Sequence, residues 1–155
     1  MNSSDAERSL PARKADVGKR LVAGFIDLAL CLVVTRLPLA GGLVAVAYLL
    51  VRDGLEFDFM DRRSVGKKLM KLRPARLDGR PVDIATSFRR NILIAVGPAG
   101  ILLMRIPVLG WVLGLLVALC GAVIGVVEIV RIFTDPEGRR LGDDMAGTQV
   151  IESES

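Results

Sequence analysis

A carboxylate stands in the middle of the apolar stretch "KRLVAGFIDLALCLVV", Lys19 to Val34. Placing Asp27 in hydrocarbon would cost roughly 2.5 to 3.5 kcal/mol on insertion scales, so it needs a partner or a proton. At about 100° per residue, Arg20, Gly24, Asp27, Cys31 and Thr35 share a narrow sector of one helix. That stripe turns Asp27 into a helix bundle and away from lipid. Two chemistries fit. A carboxyl shielded from water can exchange a proton against a cation near neutral pH, with Asp27 as the exchanging site and Arg20 as its electrostatic modulator. Alternatively, Asp27 forms a structural ion pair with a neighbouring arginine. A second acid, Glu128, lies with Gly110, Gly114, Gly121 and Gly125 within about 60° of one helix face. The glycines predict close helix packing, inside the chain or between subunits, with Glu128 at the end of the ribbon. Glu128 with Arg131 reads equally as a surface pair of little worth.

The totals narrow the remaining chemistry. The chain has 155 residues, of which 52% are hydrophobic and 25% charged, with a mean hydropathy of +0.48. Such segregation of apolar and charged blocks is a membrane signature. There is no histidine, which removes the commonest general base, haem ligand and zinc ligand. Cys31 and Cys120 lie inside apolar runs, far from any CxxC pattern, and suggest neither a disulfide nor a redox pair. No metal and no cofactor is expected. Two buried acids framed by no recognisable catalytic motif predict no enzyme.

The elements that must position these residues are four apolar runs, 21–35, 37–51, 91–104 and 106–127. Only the last reaches the ~20 residues that span a bilayer unaided. The breaks "TRLP" and "RIP" pair the runs into two helical hairpins, giving an all-α membrane protein of four transmembrane helices with a basic cytoplasmic loop between the hairpins. Five Lys and Arg precede the first run, eleven lie in 52–90, three follow Val130, and each break holds one. The positive-inside rule then puts both termini and the central loop in the cytoplasm. About twenty mostly polar residues precede the first run, which therefore reads as an uncleaved anchor.

Within the loop, "RRSVGKKLMKL" carries Val65, Leu69 and Leu72 at helical spacing, as suits a short interfacial helix on anionic headgroups. Asp78-Gly79 predicts a hairpin-like excursion after it. The Gly-Lys of "SVGKK" is not a phosphate loop, since Asp61 stands where the first glycine belongs and Lys68 where Ser or Thr should follow. Few aromatics argue against nucleic acid as a partner. No internal repeat is evident.

Together these residues resemble the RDD family of small bacterial membrane proteins. "KRLVAGFID" is similar to its opening motif, with Arg20 the arginine and Asp27 the first aspartate. Gly66, Lys67, Asp78 and Gly79 resemble its Gly-Lys segment, Arg90 in "SFRRNIL" its helix entry, and "RRLGDDMAGTQVI" its terminal motif. Spacing to Ala-Gly-Thr148 there selects Asp143 over Asp144. The family's usual "LHD" is "LGD" here. The resemblance divides the chain into a polar segment 1–16, an RDD-like transmembrane domain 17–151 and an acidic disordered tail 152–155. It implies an inner-membrane location and, from some members, monovalent cation/proton exchange. The alternative is a non-transporting scaffold or regulatory module, in which Arg20, Asp27, Arg90 and Asp143 tie loop and tail to the helix ends. Lipid, further copies of the chain and a partner protein are the expected partners.

Overall fold

The computed structural model describes residues 15–37, 40–57 and 59–153. Helix α1 (Val17–Val34) starts at Asp16, whose carboxylate accepts the Lys19 N–H at 2.9 Å. Helix α2 (Gly41–Val51) returns beside it, and the pair buries Cys31, Ala45 and Leu49. The short helix α3 (Val65–Leu69), capped by Ser64, leads into strand β1 (Leu72–Arg76). Helix α4 (Ile84–Leu103) is capped by Asp83 on the Thr86 N–H at 2.7 Å. It is followed by α5 (Leu109–Thr134), the short α6 (Leu141–Met145) and strand β2 (Thr148–Glu152). The terminal segment expected as 1–16 lies outside the described residues up to position 14, and Glu154 and Ser155 lie outside them too.

Among the described residues, α5 alone is long and apolar enough by itself to cross a membrane. Its outward positions, from Leu109 through Trp111 and Leu119 to Phe133, are exposed. Helix α2 has 11 residues, about 16 Å at ~1.5 Å each, roughly half of a bilayer core. The two breaks meet at one end of the bundle, where Arg105 donates to the Thr35 carbonyl at 3.3 Å.

The opposite end carries a polar cap of α3, β1, α6 and β2. The fold is helical, as expected, with one small addition here: β1 and β2 form an antiparallel two-stranded sheet, from Leu72 opposite Glu152 to Arg76 opposite Thr148. The excursion at Asp78-Gly79 turns as expected, but its strand partner lies in the tail and not in the loop. Glu152 belongs to β2, and the Ser153 N–H bonds the Lys71 carbonyl. The interfacial helix is also shorter than its pattern implies: Leu72 is fully buried in β1, packed with Ala15, Ala23 and Val150.

The glycine ribbon packs within the chain. A Cβ on Gly110, Gly114 or Gly121 would overlap Leu103, Met104 and Gly100, or Gly97 of α4, respectively. Gly125 departs from the expectation, because nothing lies within 4 Å of a Cβ placed there. At about 100° per residue it has rotated about 60° from Gly110 and left the contact line.

An internal repeat invisible in the residue types is plain in the fold. Each half runs long helix, helix, short helix, strand. Gly66 and Gly142 are the second residues of α3 and α6, and each backbone presses on the same place in its half. A Cβ on Gly66 would overlap the carbonyl of Ala23, and one on Gly142 that of Arg90, each six residues into its long helix. Both turns into the strands use a left-handed residue, Lys71 at φ 53° and Gly147 at φ 59°. The β1–β2 register maps onto itself when the halves are exchanged, as an approximate twofold axis near the Pro74–Val150 pair requires.

Candidate functional site

Where the cap meets the bundle, the chain buries four carboxylates among five cations. Asp27 is 1% exposed and faces the foot of α2. Arg52, the first residue after α2, places Nη1 3.0 Å from Asp27 Oδ2. The Gly66 N–H donates to Oδ1 at 2.8 Å, and the Tyr48 hydroxyl stands 3.5 Å from the same oxygen. Only a residue without a side chain lets the α3 backbone approach α1 so closely. The glycine of the Gly-Lys segment is thus explained by its N–H on a buried carboxylate.

Asp53 follows directly and is fully buried. It accepts Lys67 Nζ at 2.5 Å and Asn91 Nδ2 at 3.2 Å, and its own N–H donates to Ser87 Oγ at 3.1 Å. Arg90 Nη1 lies 3.6 Å from it. Burial alone would raise the Asp53 pKa, but Lys67, Arg90 and Arg52 outweigh it and hold the carboxyl far below the usual carboxylate range. Lys67 is pushed down to about 7 by burial, against the pull of Asp53 and with the push of Arg90 and Arg52.

Asp143 is the hub of the tail's motif. It accepts Arg20 Nη2 at 2.9 Å, Arg90 Nε at 2.7 Å and Arg140 Nη2 at 3.4 Å, with the Arg140 N–H at 3.2 Å. Burial opposes its charge, yet Arg90, Arg140 and Arg20 hold it ionised far below the ordinary range. Arg20 also donates to the Gly138 carbonyl, and Thr148 Oγ1 donates to the Asp143 carbonyl at 3.3 Å. Glu128 accepts the Gly142 N–H at 3.0 Å and faces Arg140 Nε at 3.6 Å.

The network therefore gathers Arg20, Asp27, Gly66, Lys67, Arg90, Glu128, Asp143 and Thr148 at one interface. Two pairings differ from expectation. Arg20 and Asp27 are not paired with each other, since seven residues at ~1.5 Å separate them by about 10 Å along α1; Arg20 pairs with Asp143 and Asp27 with Arg52. Glu128 is not a surface pair with Arg131, which turns outward to Asp144. Of the two tail aspartates, Asp143 is fully buried and Asp144 is exposed. Sequence reasoning missed Arg52, Asp53, Asn91 and Arg140. The available signal was "VRD", an ion pair's two residue types placed directly at the end of an apolar run.

Chemically, the arrangement fixes charge. Each buried carboxylate is met by a cation and by a backbone or side-chain donor, and removing one member of such a pair costs about 3 to 5 kcal/mol through the charge left behind.

No curated protein and no solved structure matches the chain. A family profile described as "RDD family" matches residues 38–147. The match takes in Gly66, Lys67, Arg90 and Asp143, while Arg20 and Asp27 precede it and Thr148 follows it. With more than two thirds of its length so matched and one helix fit to cross a bilayer, the chain is a membrane protein that belongs to the RDD family.

Proposed function

We propose that this chain is a non-transporting membrane module, a scaffold or regulatory subunit, whose ion-pair network clamps a cytoplasmic cap onto a short helix bundle. The observation that carries the reading is the engagement of all four buried carboxylates, Asp27, Asp53, Glu128 and Asp143, by cations of the same chain. An exchange site must release its cation and accept a proton in turn. Asp27, Glu128 and Asp143 each face a permanent guanidinium, and Asp53 has that of Arg90 at 3.6 Å beside Lys67, which leaves no vacancy for that cycle.

In this reading the protein is multi-pass in the bacterial inner membrane. Both termini and the cap are cytoplasmic, as the positive-inside rule asks, and the two breaks lie outside. Helix α2 completes a span only with the turn that precedes it. Self-association would use the exposed α5 face around Trp111 and Leu119, because the glycine ribbon is occupied by α4. Exposed Phe57, Phe59 and Leu69 beside Lys68, which lies 4.5 Å from the Phe59 ring centre, suit contact with headgroups. No reaction is assigned to the chain.

Monovalent cation/proton exchange is the second reading, and one observation favours it. Glu128 Oε2 is buried without a hydrogen-bond partner among the described residues, so Glu128 and not Asp27 would be the exchanging acid. Purified protein in proteoliposomes separates the two readings. The clamp predicts no proton-coupled Na⁺ or K⁺ flux above that of empty vesicles. Flux that Glu128→Gln abolishes, with the protein still folded, would replace it with exchange.

A further inference from the structure

The network leaves one charge over. Arg63 is buried apart from it, paired with Asp61. The network's own five buried cations, Arg20, Arg52, Lys67, Arg90 and Arg140, face four buried carboxylates. All five line one cavity of about 50 Å³, and of the acids only Asp27 does. Arg90 is fully buried, and neither of its terminal nitrogens has a hydrogen-bond partner among the described residues; the Nε atoms of Arg52 and Arg140 have none either. Arg90 Nη1 and Arg140 Nε each have a carboxylate oxygen only at 3.6 Å, beyond hydrogen-bond reach; buried guanidinium donors without hydrogen bonds are expensive, and surplus positive charge in a low-dielectric site attracts an anion. The volume exceeds the ~10–15 Å³ that one water needs and suits a small oxyanion. The cavity reaches the surface at Gly24, an exposed position on α1 where a Cβ would meet nothing within 4 Å. Its neighbours Leu21, Val22, Phe25 and Leu28 are exposed and apolar.

We infer that this cavity is an anion site of phosphate chemistry, in which Arg90, Arg52 and Arg140 donate to the oxygens of one phosphate group. The opening among apolar side chains admits the phosphodiester of a lipid as readily as free phosphate. Asp27 sets a limit, since it repels a second negative charge and favours a singly charged group. Burial lowers the proton affinity of Lys67, with Arg90 and Arg52 adding to it, and a bound anion would help to hold its charge. The inference does not depend on whether the chain transports anything.

The test uses the full chain in uncharged detergent. Thermal unfolding is followed while sodium phosphate is titrated against sodium chloride at equal ionic strength, and separately while phosphatidylglycerol is titrated against phosphatidylcholine. Near-saturating ligand should raise the unfolding temperature by on the order of 5 °C. A rise with both phosphate and phosphatidylglycerol, or with either alone, supports the site and identifies the source. Gly24→Leu, which sets a bulky side chain in the open space at the cavity's rim, should lose the rise. Binding of radiolabelled phosphate or phosphatidylglycerol to wild-type protein, at one per chain, supports the site independently of that variant. No rise and no binding with either ligand overturns it. So does an equal rise with chloride, or a rise that Gly24→Leu keeps.

Discussion

At the scale of single residues, the molecule uses its buried charges to hold itself together. Asp53 and Asp143 are ionised in the fold well below the carboxylate value of 3.8 that applies in the unfolded chain. Between those limits the unfolded chain binds more protons, so the stability these two contribute is present above about pH 3.8 and is lost as pH falls further. The unfolding temperature should therefore drop steeply through that range. Asp53→Asn takes up one proton fewer, so its curve should be lower at neutral pH and shallower in acid. A variant that parallels wild type throughout would show that Asp53 titrates normally. Asp27 is legible in the sequence because a charge in an apolar run must be compensated. Its partner is not, because Arg52 lies 25 positions away in sequence and only the hairpin's return brings it close.

At the scale of elements, the ribbon of glycines makes the sharpest contrast. Gly121→Leu should push α5 off Gly97 and destabilise the monomer by about 3 kcal/mol or more, whereas Gly125→Leu should change unfolding by less than about 0.5 kcal/mol. Equal effects from the two would mean that α4 does not set the packing. The repeated strand entry gives a second contrast. Gly147→Ala places a side chain in left-handed backbone and should cost about 1 kcal/mol, while Lys71→Gly relieves the same strain and should gain up to about 1 kcal/mol. Both signs are read from unfolding in mixed micelles, and two losses would contradict the equivalence of the two turns. Apolar periodicity locates the long helices well. It could not reveal the sheet, since "LRPAR" and "TQVIE" pair across more than 70 residues. Nor could it reveal the repeat, whose halves share the glycine of the short helix and the aspartate cap of the long one but put Lys67 where the other has Asp143.

At the scale of the whole molecule, two units with little apolar core of their own in the cap are joined by charge. Arg90 of the bundle lies between Asp53, beside α2, and Asp143 in the tail, so both halves share one guanidinium. Gly66 and Gly142 let the cap reach down to the acids of α1 and α5. The central claim is that these contacts are a clamp, and Asp27 tests it most directly, because its carboxylate meets a single guanidinium, that of Arg52. The decisive measurement is a double-mutant cycle of unfolding free energies for Asp27→Asn, Arg52→Met and their combination. The clamp predicts that each single change costs about 3 to 5 kcal/mol and that the double change costs clearly less than their sum, because it leaves no lone buried charge. Single variants as stable as wild type, or costs that simply add, would contradict it.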